Sequence, residues 1–216
     1  MKYELVVFDW DGTLLDSAGA IVHAIQASCR DLDLPVPDDA RARHVIGLGL
    51  ADALRHAVPE LPPENTQAMV ERYRHHYLSG DQNLTLFDGV PEMLQRLMAA
   101  GHILAVATGK SRLGLERALD HSGLRPLFQA SRCADECHSK PHPQMLDELM
   151  AEFGIAGEST VMIGDTSHDL LMATNAGIDS LAVTYGAHPH DHLLDHKPVA
   201  CLHSVKELDR WLQDFA

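Results

Sequence analysis

The sequence has few cysteines, few aromatic residues and no long hydrophobic run. The four cysteines are scattered along 216 residues without a paired framework: Cys29, Cys133, Cys137 and Cys201. So few cysteines, without a pattern of pairs, favour a reducing compartment. No stretch approaches the roughly 18 consecutive apolar residues that cross a bilayer, and the charged start of the chain lacks the apolar segment of a secretory signal. We therefore expect a cytoplasmic protein without a membrane partner.

Basic residues are also scarce. The 17 Lys and Arg residues are outnumbered by 31 Asp and Glu residues, which gives a formal net charge of −14. This balance argues against nucleic acid as a partner, because nucleic-acid binding depends on clustered basic side chains. It does not exclude a small phosphorylated ligand, since one bound dication and one lysine can reverse the charge of a pocket. The length suits one or two domains, as a monomer or a homodimer.

Two groups of residues look like metal sites but are interpreted otherwise. Cys133, Cys137 and His138 lack a fourth ligand at regular spacing, so free thiols are expected. Four histidines follow the last predicted strand: His188, His190, His192 and His196. Their segment also contains proline and aspartate, and it is predicted to be a solvated loop or a short helix.

Apolar strands alternate with amphipathic helices in most of the second half of the chain, a pattern typical of a parallel sheet. Five candidate strands cover residues 5–8, 103–107, 128–131, 161–163 and 181–184. Between residues 16 and 83 only helices are indicated, at 39–45, 50–57 and 64–78 after a first helix near Asp16. The prediction is an α/β core of residues 1–15 and 84–216, interrupted by an all-helical domain of residues 16–83.

Polar residues follow three of these strands. Asp9 and Asp11 follow the first strand, Thr108 and Gly109 the second, and Asp165 the fourth. Because the carboxyl ends of parallel strands carry the ligand sites of open α/β folds, these side chains are expected to meet at one edge of the sheet.

The spacing of Asp9 and Asp11 suits a nucleophile and a proton donor. A carboxylate can attack phosphorus and form an aspartyl-phosphate. A second, protonated carboxyl group can give its proton to the leaving alcohol and then activate a water. Taken alone, Asp-x-Asp-Gly-Thr is equally consistent with a simple turn that leaves a strand.

Asp165 and Asp169 lie on one face if a helix begins near Thr166. Together with Asp9 and Asp11 they would form a cluster of four acids, which repels itself unless a cation neutralises it. Mg²⁺ fits, since it prefers oxygen ligands and often bridges carboxylates to a substrate phosphate. The alternative for Asp165 and Asp169 alone is a helix cap followed by a solvated acid.

Three further residues could hold a phosphoryl group. Thr108 offers a hydroxyl and Gly109 an unobstructed amide at a strand end, and Lys140 offers a positive charge for the transition state. The adjacent Lys110 and Arg112 are interpreted as surface charges.

In their order, these segments resemble the four motifs of the haloacid dehalogenase superfamily of hydrolases, and in detail its phosphoglycolate phosphatase-like branch. The resemblance covers essentially the whole chain. The matching segments are residues 9–14, Thr108-Gly109, Lys140-Pro141, and Gly164-Asp165-Thr166 through Asp169. It implies a Rossmann-like core with helices on both faces of the sheet, and it makes residues 16–83 a cap whose closure excludes water and adds substrate contacts.

The resemblance also implies roles for individual residues. Asp9 would be the nucleophile and Asp11 the general acid/base. Mg²⁺ would be bound by the Asp9 carboxylate, the Asp11 backbone carbonyl and Asp165, with Asp169 in support. The phosphoryl group would be held by Thr108, Gly109 and Lys140. Substrate contacts from the cap are expected from Arg43, His44, Gly47 and Leu48.

The expected function is a magnesium-dependent phosphatase for a small phosphorylated metabolite, with phosphoglycolate as the leading candidate. A phosphoglucomutase-type phosphotransferase would keep all four motifs. A dehalogenase needs neither Asp11 nor the acidic cluster, and a non-catalytic binding domain would not need the complete set that this chain retains.

Overall fold

The computed structural model describes residues 2–216, and a six-stranded parallel sheet forms its centre. The strands are β1 (Leu5–Phe8), β2 (Ile103–Thr108), β3 (Ala130–Cys133), β4 (Thr160–Gly164), β5 (Asp179–Val183) and β6 (Ala200–Leu202). Their order across the sheet is β3-β2-β1-β4-β5-β6. Because β1 lies between β2 and β4, the residues that follow these three strands are neighbours at the carboxyl edge.

The α/β class is confirmed, but the predicted count of five strands is wrong. The sixth strand, β6, has only three residues and pairs with β5 at the edge of the sheet. So short a run carries no recognisable alternation or apolar density. The third strand, β3, begins at Ala130, two residues after the predicted start at residue 128.

Within residues 2–216, ten α-helices surround or extend the sheet. They are α1 (Ala18–Asp31), α2 (Asp39–His44), α3 (Leu50–Ala57), α4 (Thr66–Gly80), α5 (Val90–Ala99), α6 (Arg112–Ser122), α7 (Gln144–Phe153), α8 (Ser167–Ala176), α9 (His190–Leu194) and α10 (Val205–Phe215). None of the helices within residues 2–216 combines the length and the apolar character that a membrane span needs.

Both faces of the sheet are buried. In β1, Val6 and Phe8 pack into one hydrophobic cluster, while Leu5 and Val7 pack into another on the opposite face. This alternation explains why the strand is apolar throughout. Trp10 is fully buried in the first of these clusters, so it fills space behind the site.

Residues 16–83, which we call the helical block, form a hydrophobic cluster to which the core contributes the buried residue Ala187. The cluster is built around α1, α3 and α4 and includes Ile25, Leu54 and Met69. The two connections to the rest of the chain run side by side, since the Asp16 amide donates to Thr85 O at 3.0 Å. These observations support the proposed division into a discontinuous α/β core and an inserted cap domain.

Candidate active site

Three buried carboxylates meet at the carboxyl edge of the sheet, and we call Asp9, Asp165 and Asp169 the acidic cluster. Each offers an oxygen within 4.8 Å of the others, and all three residues are 0% exposed. Asp9 follows β1, Asp165 follows the neighbouring β4, and Asp169 lies in the first turn of α8. The pairing of β1 with β4 therefore brings together residues that are far apart in sequence.

Lys140 lies inside the acidic cluster. Its Nζ is 2.7 Å from Asp9 Oδ1 and 2.7 Å from Asp169 Oδ1, and its side chain is 0% exposed. Asp169 Oδ2 also accepts hydrogen bonds from the amide and hydroxyl of Thr166, at 3.1 and 2.7 Å. Asp169 thus completes the capping box of α8 that begins at Thr166 and also anchors Lys140, and its complete burial contradicts the alternative of a solvated acid.

Asp9 is the least satisfied member of the acidic cluster. Its Oδ2 has no hydrogen-bond partner among the described residues, and Oδ1 faces Lys140 without hydrogen-bond geometry. Burial raises the pKa of Asp9 to about 7, with Lys140 opposing the rise and Asp169 adding to it. Burial and the charges of Asp9 and Asp169 likewise raise the pKa of Asp165 well above its usual range. An unpartnered buried carboxylate among like charges fits a hard divalent cation.

The orientation of Asp165 is set by two donors and two glycines. Oδ1 accepts from the Thr13 hydroxyl at 2.8 Å, and Oδ2 accepts from the Ala187 amide at 2.7 Å. A Cβ at Gly12 or Gly186 would lie 2.2 or 2.3 Å from Asp165 Oδ2. Any side chain at either position would therefore displace the carboxylate.

Asp11 lies outside the acidic cluster, so the side chains of three acids converge rather than four. Its Oδ1 accepts from the Ser17 hydroxyl at 2.6 Å, and its Oδ2 is 3.0 Å from Lys110 Nζ. Ser17 is the N-cap residue of α1, but its hydroxyl makes no capping hydrogen bond and donates to Asp11 instead. The expected metal contact of Asp11 is through its backbone carbonyl, which this side-chain orientation leaves unaffected.

The helical block lies directly on the predicted phosphate-binding turn. A Cβ at Gly109 would be 2.4 Å from Leu48 O and 2.6 Å from Gly47 O. The Gly49 amide also donates to the Ser139 hydroxyl at 2.8 Å. The structure therefore has the block closed over the core, and only glycine at position 109 permits this approach.

The other two residues expected in the cap contacts lie elsewhere. Arg43 and His44 line a separate cavity together with His188 and His192. The short helix predicted for the histidine tract is present as α9, but His188 is buried rather than solvated.

Lys110 is a candidate site residue that the sequence interpretation missed. Its Nζ lies 3.0 Å from Asp11 Oδ2 and 3.0 Å from the hydroxyl of Tyr77, over whose ring it sits at 4.8 Å. Burial lowers the pKa of Lys110, but Asp11 and Tyr77 outweigh it and the net pKa is raised, so the side chain stays charged. Its position two residues after Thr108, at a strand end, was the available signal. By contrast, Arg112 pairs with Glu136 on the partly exposed surface.

No disulfide joins the four cysteines, and no group of three potential metal ligands within residues 2–216 includes Cys133, Cys137 or His138. Cys137 lies 3.8 Å from Glu148 Oε2.

Comparison with known proteins agrees with this geometry. Residues 6–183 match the haloacid dehalogenase-like hydrolase family. The chain is 38% identical over 211 residues to a probable phosphatase, IndB, of Dickeya dadantii, which covers 94% of this chain and 91% of that protein. It is 32% identical over 217 residues to a phosphoglycolate phosphatase of Colwellia psychrerythraea, with 95% of each chain covered.

A solved structure has the same fold. The crystal structure of a predicted phosphoglycolate phosphatase from Haemophilus somnus 129PT superposes with a TM-score of 0.87 at 25% identity, over 99% of both chains. The chain belongs to the haloacid dehalogenase-like hydrolase family, within its phosphoglycolate phosphatase-like branch.

Proposed function

We propose that this chain, a phosphatase of the haloacid dehalogenase-like family, hydrolyses a small phosphorylated metabolite with Mg²⁺ through an aspartyl-phosphate on Asp9. The supporting observation is the buried Asp9 carboxylate, whose Oδ2 has no partner although Lys140 and two acids surround it. A buried carboxylate without a partner costs folding free energy, and its use as a nucleophile accounts for its presence.

Asp9, Asp165 and the backbone carbonyl of Asp11 would hold Mg²⁺, and Asp169 would support them by fixing Lys140. The bound ion would lower the repulsion between the carboxylates and the substrate phosphate and neutralise charge in the transition state. The donor set is oxygen only, which matches this ion better than a softer metal.

In the first proposed step, one oxygen of Asp9 attacks phosphorus. The new Asp9 O–P bond forms as the bond from phosphorus to the substrate oxygen breaks, and Asp11 gives its proton to the departing alcohol. Thr108, Gly109 and Lys140 would hold the non-bridging oxygens during this transfer.

In the second proposed step, Asp11 accepts a proton from a water molecule that attacks the phosphorus. The Asp9 O–P bond then breaks, inorganic phosphate leaves, and the Asp9 carboxylate is restored. The hydrogen bond from Ser17 to Asp11 Oδ1 keeps the carboxyl group oriented in both steps.

The position of Lys110 favours a small substrate that carries a second anionic group. It is a charged, buried side chain at the junction of the core and the helical block, with Asp11 and Tyr77 as its partners. A second anionic group on the substrate would attract the Lys110 ammonium and free Asp11 for the leaving oxygen. The carboxylate of phosphoglycolate fits this requirement, so phosphoglycolate is the leading candidate substrate.

The test is a panel of phosphorylated metabolites that includes phosphoglycolate and hexose phosphates, assayed with and without Mg²⁺. We expect release of inorganic phosphate that requires Mg²⁺ and is absent in Asp9→Asn. Isomerised sugar phosphate without phosphate release would indicate the phosphotransferase instead. Folded protein without magnesium-dependent turnover on any substrate would contradict the proposal.

A further inference from the structure

A second group of metal-ligating side chains lies where the helical block meets the α/β core. We call His44, His188 and His192 the histidine cluster. They line a cavity of about 580 Å³ together with Arg43. His44 ends α2 of the helical block, whereas His188 and His192 belong to the core segment that contains α9.

The three imidazoles are close enough for a common ligand. Each offers a nitrogen within 4.8 Å of the others. The ring centroids are 5.0 Å apart for His44 and His188, 5.6 Å for His44 and His192, and 5.2 Å for His188 and His192. Metal–nitrogen bonds of about 2.1 Å in a tetrahedral site place the ligand nitrogens about 3.4 Å apart, so the rings must close by at most about 1.4 Å.

The backbone of His44 is fixed to the core independently of its ring. Its carbonyl oxygen accepts from His168 Nε2 at 2.7 Å and from His188 Nε2 at 3.2 Å. These contacts satisfy a carbonyl that the end of α2 leaves open. The rings of His44 and His192 make no hydrogen bond to any residue in 2–216, so both have free nitrogens to offer.

The protonation state also suits metal binding. Burial lowers the pKa of His44, and it lowers the pKa of His188 to about 4, so both rings are neutral near pH 7. Neutral imidazole is the form that binds a metal. His188 Nδ1 accepts from the Ser167 amide at 3.0 Å, which places the ring proton on Nε2. To become a ligand through Nε2, the neutral His188 ring must carry its proton on Nδ1 instead and give up its hydrogen bonds with Ser167 N and His44 O, whereas the rings of His44 and His192 have no hydrogen bond to give up within residues 2–216.

We propose that the histidine cluster binds one divalent transition metal of the Zn²⁺ class, with His44 and His192 as the primary ligands and His188 as the third. Nitrogen-only ligands favour Zn²⁺, Ni²⁺, Co²⁺ or Cu²⁺ over Mg²⁺, which the all-oxygen acidic cluster suits. The ion joins the helical block to the core. It thereby holds the Gly47 and Leu48 carbonyls against Gly109 and opposes opening for substrate entry.

The test is a Co²⁺ titration of metal-free, untagged protein in saturating Mg²⁺, which keeps the acidic cluster occupied. Bound Co²⁺ is counted by equilibrium dialysis and followed by its visible absorption. We expect one Co²⁺ per chain, and at least a tenfold loss of affinity in His44→Gln and in His192→Gln. His190→Gln is the matched control, because His190 is on the same helix but its ring packs on His203 at 5.3 Å.

The amount of bound Co²⁺ is measured without any assay of catalytic activity. Circular dichroism checks that each variant is folded, and exposed His44 is the safer of the two substitutions. Wild-type protein that binds no Co²⁺ would overturn the proposal, as would unchanged affinity in both His44→Gln and His192→Gln. Loss of binding in Cys137→Ser with retention in the histidine variants would place the metal at the thiols and also overturn it.

Discussion

The acidic cluster and the histidine cluster lie at the same junction but are built differently. The acidic cluster is formed by the α/β core alone, from residues that follow β1 and β4 and from the start of α8. The histidine cluster takes His44 from the helical block and its other two members from the core. The first therefore depends on the register of the sheet, and the second exists only while the block lies against the core.

The two clusters also differ in electrostatics. The acidic cluster collects buried negative charge that one lysine offsets only in part. The histidine cluster collects imidazoles, and burial lowers the pKa of two of them, His44 and His188. The charge of the first cluster therefore favours a bound cation, whereas the second cluster offers a cation only suitable geometry. The following predictions test this contrast.

The largest expected effect is that of Asp9→Asn on turnover. An amide cannot attack phosphorus, so activity should fall by about four orders of magnitude or more. The fold should survive, because asparagine is nearly the same size as aspartate and Lys140 keeps Asp169 as its other partner at 2.7 Å. Steady-state phosphate release and thermal unfolding measure the two effects. Near-normal activity in the folded variant would remove Asp9 from the mechanism.

Asp11→Asn should affect substrates unequally. A poor leaving group needs the proton of Asp11, so its turnover should fall by about 10²- to 10⁴-fold. Para-nitrophenol leaves readily without a proton, so phosphate release from para-nitrophenyl phosphate should fall much less. Ser17→Ala, which removes only the orienting hydroxyl, is the milder companion variant. Equal losses on both substrates would contradict the proton-transfer role.

Without Mg²⁺, the free energy of unfolding should depend on the ionisation of the acidic cluster. The folded-state pKa of Asp9 is raised from 3.8 to about 7, mainly by burial. Between these two values the folded protein holds a proton that the unfolded chain has lost, so the free energy of unfolding must fall as the pH rises. In chelator, we expect a decrease on the order of a few kcal/mol between about pH 4 and pH 7.

Denaturant titrations at several pH values measure this decrease. Asp9→Asn should show a flatter dependence, and saturating Mg²⁺ should restore wild-type stability near pH 7. If the free energy of unfolding changed equally with pH in wild type and in Asp9→Asn, Asp9 would not be the group whose ionisation destabilises the fold.

The smallest expected effect is that of Lys110→Gln on a substrate with a second anionic group. Loss of one charge-assisted contact should raise KM about tenfold with a smaller change in kcat. Arg112→Gln is the matched control, because Arg112 pairs with Glu136 away from Asp11. Steady-state kinetics on phosphoglycolate compare the two variants. Equal effects of both substitutions would exclude a specific role for Lys110.

Most of the acidic cluster could be predicted from sequence because its residues directly follow apolar strands. Asp9 and Asp165 are each placed by a short, buried segment whose parallel pairing is easily recognised. The same reasoning failed for β6, which is too short to give a pattern.

Residues whose environment depends on packing between the helical block and the core could not be placed in this way. Lys110 is a surface charge by composition, but Tyr77 of α4 covers it. His44 is expected from the sequence only as a cap residue near the substrate, and it acquires its ring neighbours when α2 meets α9 and the preceding loop. These contacts depend on the orientation of two packed units, which no periodicity in the sequence encodes.

The central claim is that Asp9 receives the phosphoryl group. The most direct measurement is mass spectrometry of wild-type protein that is acid-quenched during turnover and digested. The account predicts one phosphoryl group on the peptide that contains Asp9, formed only with Mg²⁺ and absent in Asp9→Asn. Phosphate release without any phosphorylated peptide, or with the group on another residue, would contradict it.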